Sequence, residues 1–339
     1  MSLTTDSVSS VTDSPPHECP AQSPPYHALK QYEARLLHLY PGEERDALRG
    51  EFTTFITGKS PTYTALSYCW GDSGPTGTIL VTGVQVPITG NLDSFLRHLR
   101  SKEETLPLWI DSLCINQSDV HEKNQQVNHM DRIYEYANIV KVWLGNGSPH
   151  SSLGIQILAY FAEHRRPAKH APWQTLPPEL VSQSLGDIMN RPWWHRMWVV
   201  QEVALSQNTQ LICGTSSISW DSKDSTHVRE FQRMIKYAAI HPDWRLRRLT
   251  DIEMQPLLEL LDLQIGQNLD RSFGSSHRRA PDILDVAYDL KHRLSSDPRD
   301  MVFALQGIAR YMMSGEELQP NYLWTVEQTY DHLESVIQW

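Results

Sequence analysis

The chain has 339 residues, enough for one large domain or two modest ones, and enough to bury a core without disulfides or a structural metal. Lys and Arg number 30 against 40 Asp and Glu, a net charge of −10 with histidine neutral, which argues against a generally basic binder of nucleic acid or anionic membrane. One count stands out: there are 11 tryptophans in a chain that is only 40% hydrophobic, and each needs burial for its ring and a partner for its N–H.

Residues 1–25 are rich in Ser, Thr and Pro and bury too little apolar surface to order themselves, so a disordered tail is expected. The pattern then predicts strands at Ala34–Leu39, ended by Pro41-Gly42, and near Phe52–Ile56. TYTALSYCWG follows as a third strand stopped by Gly71-Asp72, and TILVTGVQVPI reads as a hairpin turning at Thr82-Gly83. Asn91 is the expected N-cap of a helix running from Leu92 to about Arg100. PLWID is a buried strand. Asp119 and Glu122 form a capping-box pair ahead of a helical stripe through Val127, Met130, Ile133, Tyr134 and Ala137. IVKVWLG is a strand, a Pro-rich stretch follows, Pro192 opens a helix to about Ser206, and TQLICG closes the series as a short strand. Apolar strands separated by helices predict an α/β fold with a mainly parallel sheet flanked by helices, carrying an added β-hairpin.

Beyond about Thr215 the periodicity is helical, over Lys223–Ala239, Asp251–Leu263, Pro281–Arg293, Pro298–Tyr311 and Val326–Gln338. The expected organisation is a tail at 1–25, an α/β core at 26–215 and a helical C-terminal region at 216–339. The last helix runs to Trp339, as in a chain whose C-terminal part is missing. The cysteines Cys19, Cys69, Cys114 and Cys213 form no CxxC pair, the N-terminus lacks the pattern of a signal peptide, and no apolar run is long enough to span a bilayer. A reducing, cytoplasmic setting is the expectation. The 15 histidines give no metal-ligand spacing, so no metal is assigned, and no glycine-rich phosphate loop is present. The basic run Arg245–Arg248 reads as a solvated helix face rather than a nucleic-acid contact.

Four segments carry a more specific signal together than separately: Tyr63–Asp72 (YTALSYCWGD), Leu108–Gly145 (LWIDSLCINQSDVHEKNQQVNHMDRIYEYANIVKVWLG), Arg191–Ser206 (RPWWHRMWVVQEVALS) and Ser295–Ala309 (SSDPRDMVFALQGIA). In this order they resemble the fungal heterokaryon-incompatibility (HET) domain, the first three as its core blocks. The resemblance implies a part in nonself recognition between hyphae and in programmed cell death, a process akin to innate immunity. HET domains have been likened to TIR domains, which have a flavodoxin-like fold and some of which cleave NAD. Here LSY in the first strand is similar to the ISY of TIR strands, and Trp198-Val199-Val200-Gln201-Glu202 is similar to the TIR pattern W-C-x-x-E, with Val199 in place of the Cys. The TIR comparison implies NAD as a substrate, no required cofactor, and homo-oligomers formed through helix surfaces.

Glu202 is the sharpest candidate. Cleaving the glycosidic bond of NAD passes through an oxocarbenium-like state, which a nearby carboxylate stabilises. The competing reading is a helix glutamate paired with Arg196 or Arg191. Trp198, one turn earlier, is expected on the same side of the helix, as a ring that stacks on a ligand or packs in the core. Trp193 and Trp194 read as core. Ser67, Tyr68, Trp70, Gly71 and Asp72 end a strand, where open α/β sheets bind ligands, or else they make a self-satisfied turn. Asp111 could hold a ribose hydroxyl, and Asn116 and Gln117 an amide or base edge, against a reading as loop braces. Cys114 lacks a histidine with a demonstrable place beside it and is a poor nucleophile candidate. Arg132 on the following helix could meet a pyrophosphate or form a surface ion pair. Against the enzyme stands a non-enzymatic death module acting by self-assembly or by binding a nonself-recognition partner, its aromatics forming interface or core.

Overall fold

The protein is described by a computed structural model over residues 25–59, 61–71, 74–164, 171, 173–240, 252–273, 283–308 and 319–337. All but the last residue of the expected tail lies outside them, as do Asp72 and Arg245–Arg248. Nine strands form one mixed sheet: β1 (Glu33–Leu39), β2 (Leu48–Ile56), β3 (Thr64–Tyr68), β4 (Gly77–Val81), β5 (Val84–Ile88), β6 (Leu106–Trp109), β7 (Ile139–Trp143), β8 (Asn208–Cys213) and β9 (Ser216–Asp221). Their spatial order is β5-β4-β2-β1-β6-β3-β7-β8-β9.

The predicted α/β class holds, with one difference in the sheet. Parallel pairing joins β6, β3, β7 and β8 at the centre, and β2 to β4. The other four neighbour pairs, β1 with β2, β1 with β6, β4 with β5 and β8 with β9, are antiparallel. Loop length accounts for three of these: β1–β2, β4–β5 and β8–β9 are consecutive strands with short connections, which return the chain antiparallel. Taken in chain order, the four central parallel strands stand 2-1-3-4, the start of the doubly wound order whose switch point lies between its first and third strands. Those strands are β3 and β7, paired in register from Thr64 with Ile139 to Tyr68 with Trp143.

Helix α1 (Gly90–Leu99) is capped by Thr89, which accepts from Leu92 N–H, and not by Asn91. The Asn91 side chain is committed elsewhere, donating to Cys69 O at 2.7 Å and accepting from Trp143 Nε1 at 3.0 Å, so it ties β3 to β7. After β6 come α2 (Asp111–Cys114), α3 (Val120–Val127) and α4 (Met130–Tyr136). Asp119 caps α3 as expected, accepting from His121 and Glu122 N–H. Glu122 does not return the capping-box bond; its carboxylate serves Arg35 (2.5 Å) and Asn116 N–H (2.7 Å). The single predicted stripe is broken at Asn128-His129 into α3 and α4.

The expected Pro-rich stretch holds two helices, α5 (Ser151–Glu163) and α6 (Pro178–Met189). α5 is apolar on most sides, with Ile155, Ile157, Leu158, Tyr160 and Phe161 all buried, which hides the one-faced pattern by which a helix is read. The helix expected from Pro192 is instead a 3₁₀ turn over Pro192–His195 followed by α7 (Val199–Ala204). β9 falls at the start of the region expected to be helical, where the pattern predicts no strand. Its alternation, with Ile218 and Trp220 buried and Ser217, Ser219 and Asp221 exposed, is that of a half-buried edge strand. Helices α8 (Ser225–Ile240), α9 (Gln255–Phe273), α10 (Ile283–Asp289), α11 (Asp300–Phe303) and α12 (Val326–Ile337) follow, as the later periodicity predicts. Among the described residues no helix is long and apolar enough to cross a membrane, and no group of His, Cys, Asp and Glu is arranged to hold a metal ion.

Candidate active site

The carboxyl end of β3 is where the chain brings its polar side chains together. Ser67 and Tyr68, 1% and 2% exposed, are the last residues of that strand. The Ser67 hydroxyl donates to Glu202 Oε2 and accepts the indole N–H of Trp193 at 2.8 Å. Two elements supply these partners: α7 carries Glu202, and the 3₁₀ turn before it carries Trp193. Between them Arg196 donates through Nη1 to Tyr68 O. The Tyr68 hydroxyl meets Ser112 Oγ at 2.6 Å, and the Tyr134 hydroxyl donates to Leu66 O at 3.1 Å.

The start of α2 closes the other side. Asp111 accepts from Trp70 Nε1 at 2.9 Å and from Ser112 N–H at 2.7 Å, and its carbonyl accepts from Gln117 Nε2 at 2.9 Å. Trp70 is 40% exposed and Gly71 follows it with φ +83° in the left-handed region, so the chain turns at the surface just beyond the end of β3.

Glu202 is 1% exposed. Burial pushes its carboxyl up from 4.5 to about 7; the Arg196 charge and the Ser67 hydrogen bond pull it down, and Asp111 adds to the rise. Burial also raises Asp111, with Arg196 and the Trp70 N–H opposing. One guanidinium thus acts on two carboxylates. Among the described residues no ion pair within hydrogen-bonding range joins Arg196 to Glu202, and Arg191 is held by Asp187, Ser151 and the carbonyls of Leu144 and Asn146. A buried carboxyl poised near neutrality beside a hydroxyl can exchange a proton at physiological pH or, once ionised, stabilise a developing cation.

The structure therefore gathers Ser67, Tyr68, Trp70, Asp111, Gln117 and Glu202 around one strand end. It places three other candidates differently. The indole of Trp198, at the N-cap of α7, faces the Asp300 carboxyl in the helical region and helps hold its proton affinity down. Asn116 braces its own loop, accepting from Ser118 N–H at 3.2 Å. Arg132 lies on α4, with no described bond to this cluster. Asp72 is outside the described residues. Cys114 is fully buried and its thiol is pushed up to about 12, which leaves it unreactive. Sequence reading assigned Trp193 to the core and saw Arg196 only as a partner for Glu202. The need of a buried indole N–H for an acceptor was the available signal for Trp193. Nothing in the sequence pointed Arg196 at the end of β3.

The arrangement defines a doubly wound α/β domain with a buried acidic centre outside the carboxyl end of its first parallel strand. Residues 63–202 match the family model described as Heterokaryon incompatibility protein (HET), and the matched stretch ends on Glu202. The chain is also 32% identical over 244 residues to Heterokaryon incompatibility protein 6, OR allele, of Neurospora crassa. That match takes in 59% of this chain and 36% of the relative, so the chain spans about a third of that protein. No solved structure gives a significant match.

Proposed function

We propose that this HET domain acts in fungal nonself recognition and programmed cell death, and that it does so by TIR-like hydrolysis of NAD at Glu202. The first part is supported by the HET match and by the name of the Neurospora crassa relative. The observation that carries the second is the joining of Glu202 to Ser67 at the end of β3, across 135 residues of chain, beside the switch point where such sheets bind nucleotides. In the reaction the bond between ribose C1′ and the nicotinamide nitrogen breaks and its electron pair leaves with nicotinamide. The ionised Glu202 carboxylate stabilises the positive charge left on the ribose. Water then bonds to C1′ and releases a proton, giving ADP-ribose. On this reading Asp111 and Ser67 hold ribose hydroxyls and the exposed Trp70 ring is a stacking surface for the ligand.

The test is nicotinamide release from NAD by the purified chain and by Glu202→Gln. The expected loss is on the order of 10²-fold or more, and unchanged turnover removes Glu202 from the chemistry. The 1% exposure of Glu202 favours a second reading, a non-enzymatic module that signals through self-assembly or a nonself-recognition partner, with the Ser67–Glu202–Trp193 bonds serving as core bracing. Cell death in hyphae that survives Glu202→Gln and is lost on surface substitution selects that reading.

A further inference from the structure

The segment 193–205 has two sides with different duties. Trp193, Arg196 and Glu202 reach the end of β3. The residues between them are gripped from the helical region. Arg293, 2% exposed, donates to Trp194 O at 2.9 Å and to Pro256 O at 3.2 Å while paired with Glu259 at 2.9 Å. Leu294 N–H donates to His195 O at 2.6 Å, and Met197 N–H to Leu294 O at 2.9 Å, a short parallel bridge. Trp198 faces the Asp300 carboxyl. The Gln201 amide, oriented to satisfy its neighbours, donates to Ala304 O at 3.1 Å and accepts from Asp131 N–H at 3.0 Å. Gln264 donates to Val203 O at 2.9 Å. The helical region also packs closely here at Gly307, where an added Cβ would stand 2.6 Å from Asp131 Cβ, 2.8 Å from Leu205 Cδ1 and 3.2 Å from Gln201 Cδ.

A six-residue helix after a 3₁₀ turn is too short to hold itself. Its position is set by what grips it. We infer that Arg293, Gln264 and Gly307, all beyond the HET match, are positioning residues of the acidic centre, fixing where Glu202 and Arg196 stand relative to Ser67. The helical region is then part of the site's machinery, and an event that shifts Gln264, Arg293 or Gly307 would be felt at Glu202. The inference rests on the acidic centre being the working site, and not on NAD being its substrate.

The experiment is titration of Glu202 in the full chain, followed by the infrared carboxyl stretch and assigned by its loss in Glu202→Gln. Gly307→Ala and Arg293→Lys should each move the midpoint by roughly half a pH unit or more, since the carboxyl's distance from Arg196 and Ser67 sets its proton affinity. Ile79→Ala is the control for general destabilisation: Ile79 is buried on β4, which three strands separate from β3. Midpoints unchanged in Gly307→Ala and Arg293→Lys, or moved as far by Ile79→Ala, overturn the inference. If Gly307→Ala does not fold, Arg293→Lys decides, because lysine keeps the charge facing Glu259 but cannot serve both carbonyls. Nicotinamide release in the same samples separates the two ideas: shifted midpoints without any NAD cleavage uphold the positioning role and reject the NAD reading.

Discussion

Glu202 sits where a charge is costly, and the cost is measurable. Its carboxyl is raised in the folded chain from 4.5 to about 7, so the folded state holds a proton that the unfolded state has released. The stability this lends is complete below about pH 4.5 and is lost as the pH rises through about 7, a change of roughly 3 kcal/mol. Glu202→Gln, which cannot ionise, should lose much less stability than the parent chain between about pH 5 and pH 8, in thermal unfolding followed by circular dichroism. A parent chain with the same pH profile as the variant would show that Glu202 is ionised without penalty. If the carboxylate is the active form, nicotinamide release by the parent should rise with pH through the same midpoint. The glutamate itself was legible in the sequence, from its place after Trp198. Its proton affinity was not, because that depends on Ser67 and Asp111, which are distant in the sequence, and on the turn that aims Arg196.

Single elements were read best where local geometry decides them. The β4–β5 hairpin turns at Thr82-Gly83 as expected, with φ of +51° and +84°, the doubly left-handed turn that matches strand twist. Threonine is a poor occupant of such a position and asparagine a good one. Thr82→Asn should therefore stabilise the chain by about 0.5–1 kcal/mol in denaturant unfolding. No gain, or a loss, would mean that threonine is not strained there. Misreadings came where tertiary contacts outrank local preference. Asn91 is a natural cap, yet its amide spans Cys69 and Trp143 and leaves capping to Thr89. α5 escaped notice because a helix buried on most sides carries no polar face to mark its period. β9 escaped because its apolar positions are only two, set among serines.

At the scale of the whole molecule, buried polar side chains tie together elements far apart in the sequence. Arg35 on β1, 2% exposed, pairs with Glu122 on α3 at 2.5 and 2.9 Å and donates to Cys114 O at 3.1 Å. This fastens β1, which lies before the HET match, to the loop and helix that follow Asp111. Arg35→Met leaves the Glu122 carboxylate buried without its partner and should cost about 3–5 kcal/mol in urea unfolding, with Arg35→Met/Glu122→Leu recovering much of it. A single substitution costing under about 1 kcal/mol would mean that water reaches the pair.

The sequence by itself determined the α/β class, most strands, the later helices and the HET resemblance, since periodicity and motif are written over a few neighbouring residues. It also gave the tryptophans an address in the core blocks. Only the tertiary structure decided what they do there: Trp193 serves Ser67, Trp70 holds Asp111, and Trp198 turns away to Asp300. It alone made the sheet mixed and set the helical region against the back of α7. The reason is separation along the chain. Ser67 and Glu202 stand 135 residues apart, and whether a buried carboxyl meets a hydroxyl, a guanidinium or apolar wall is settled by packing that no local pattern records.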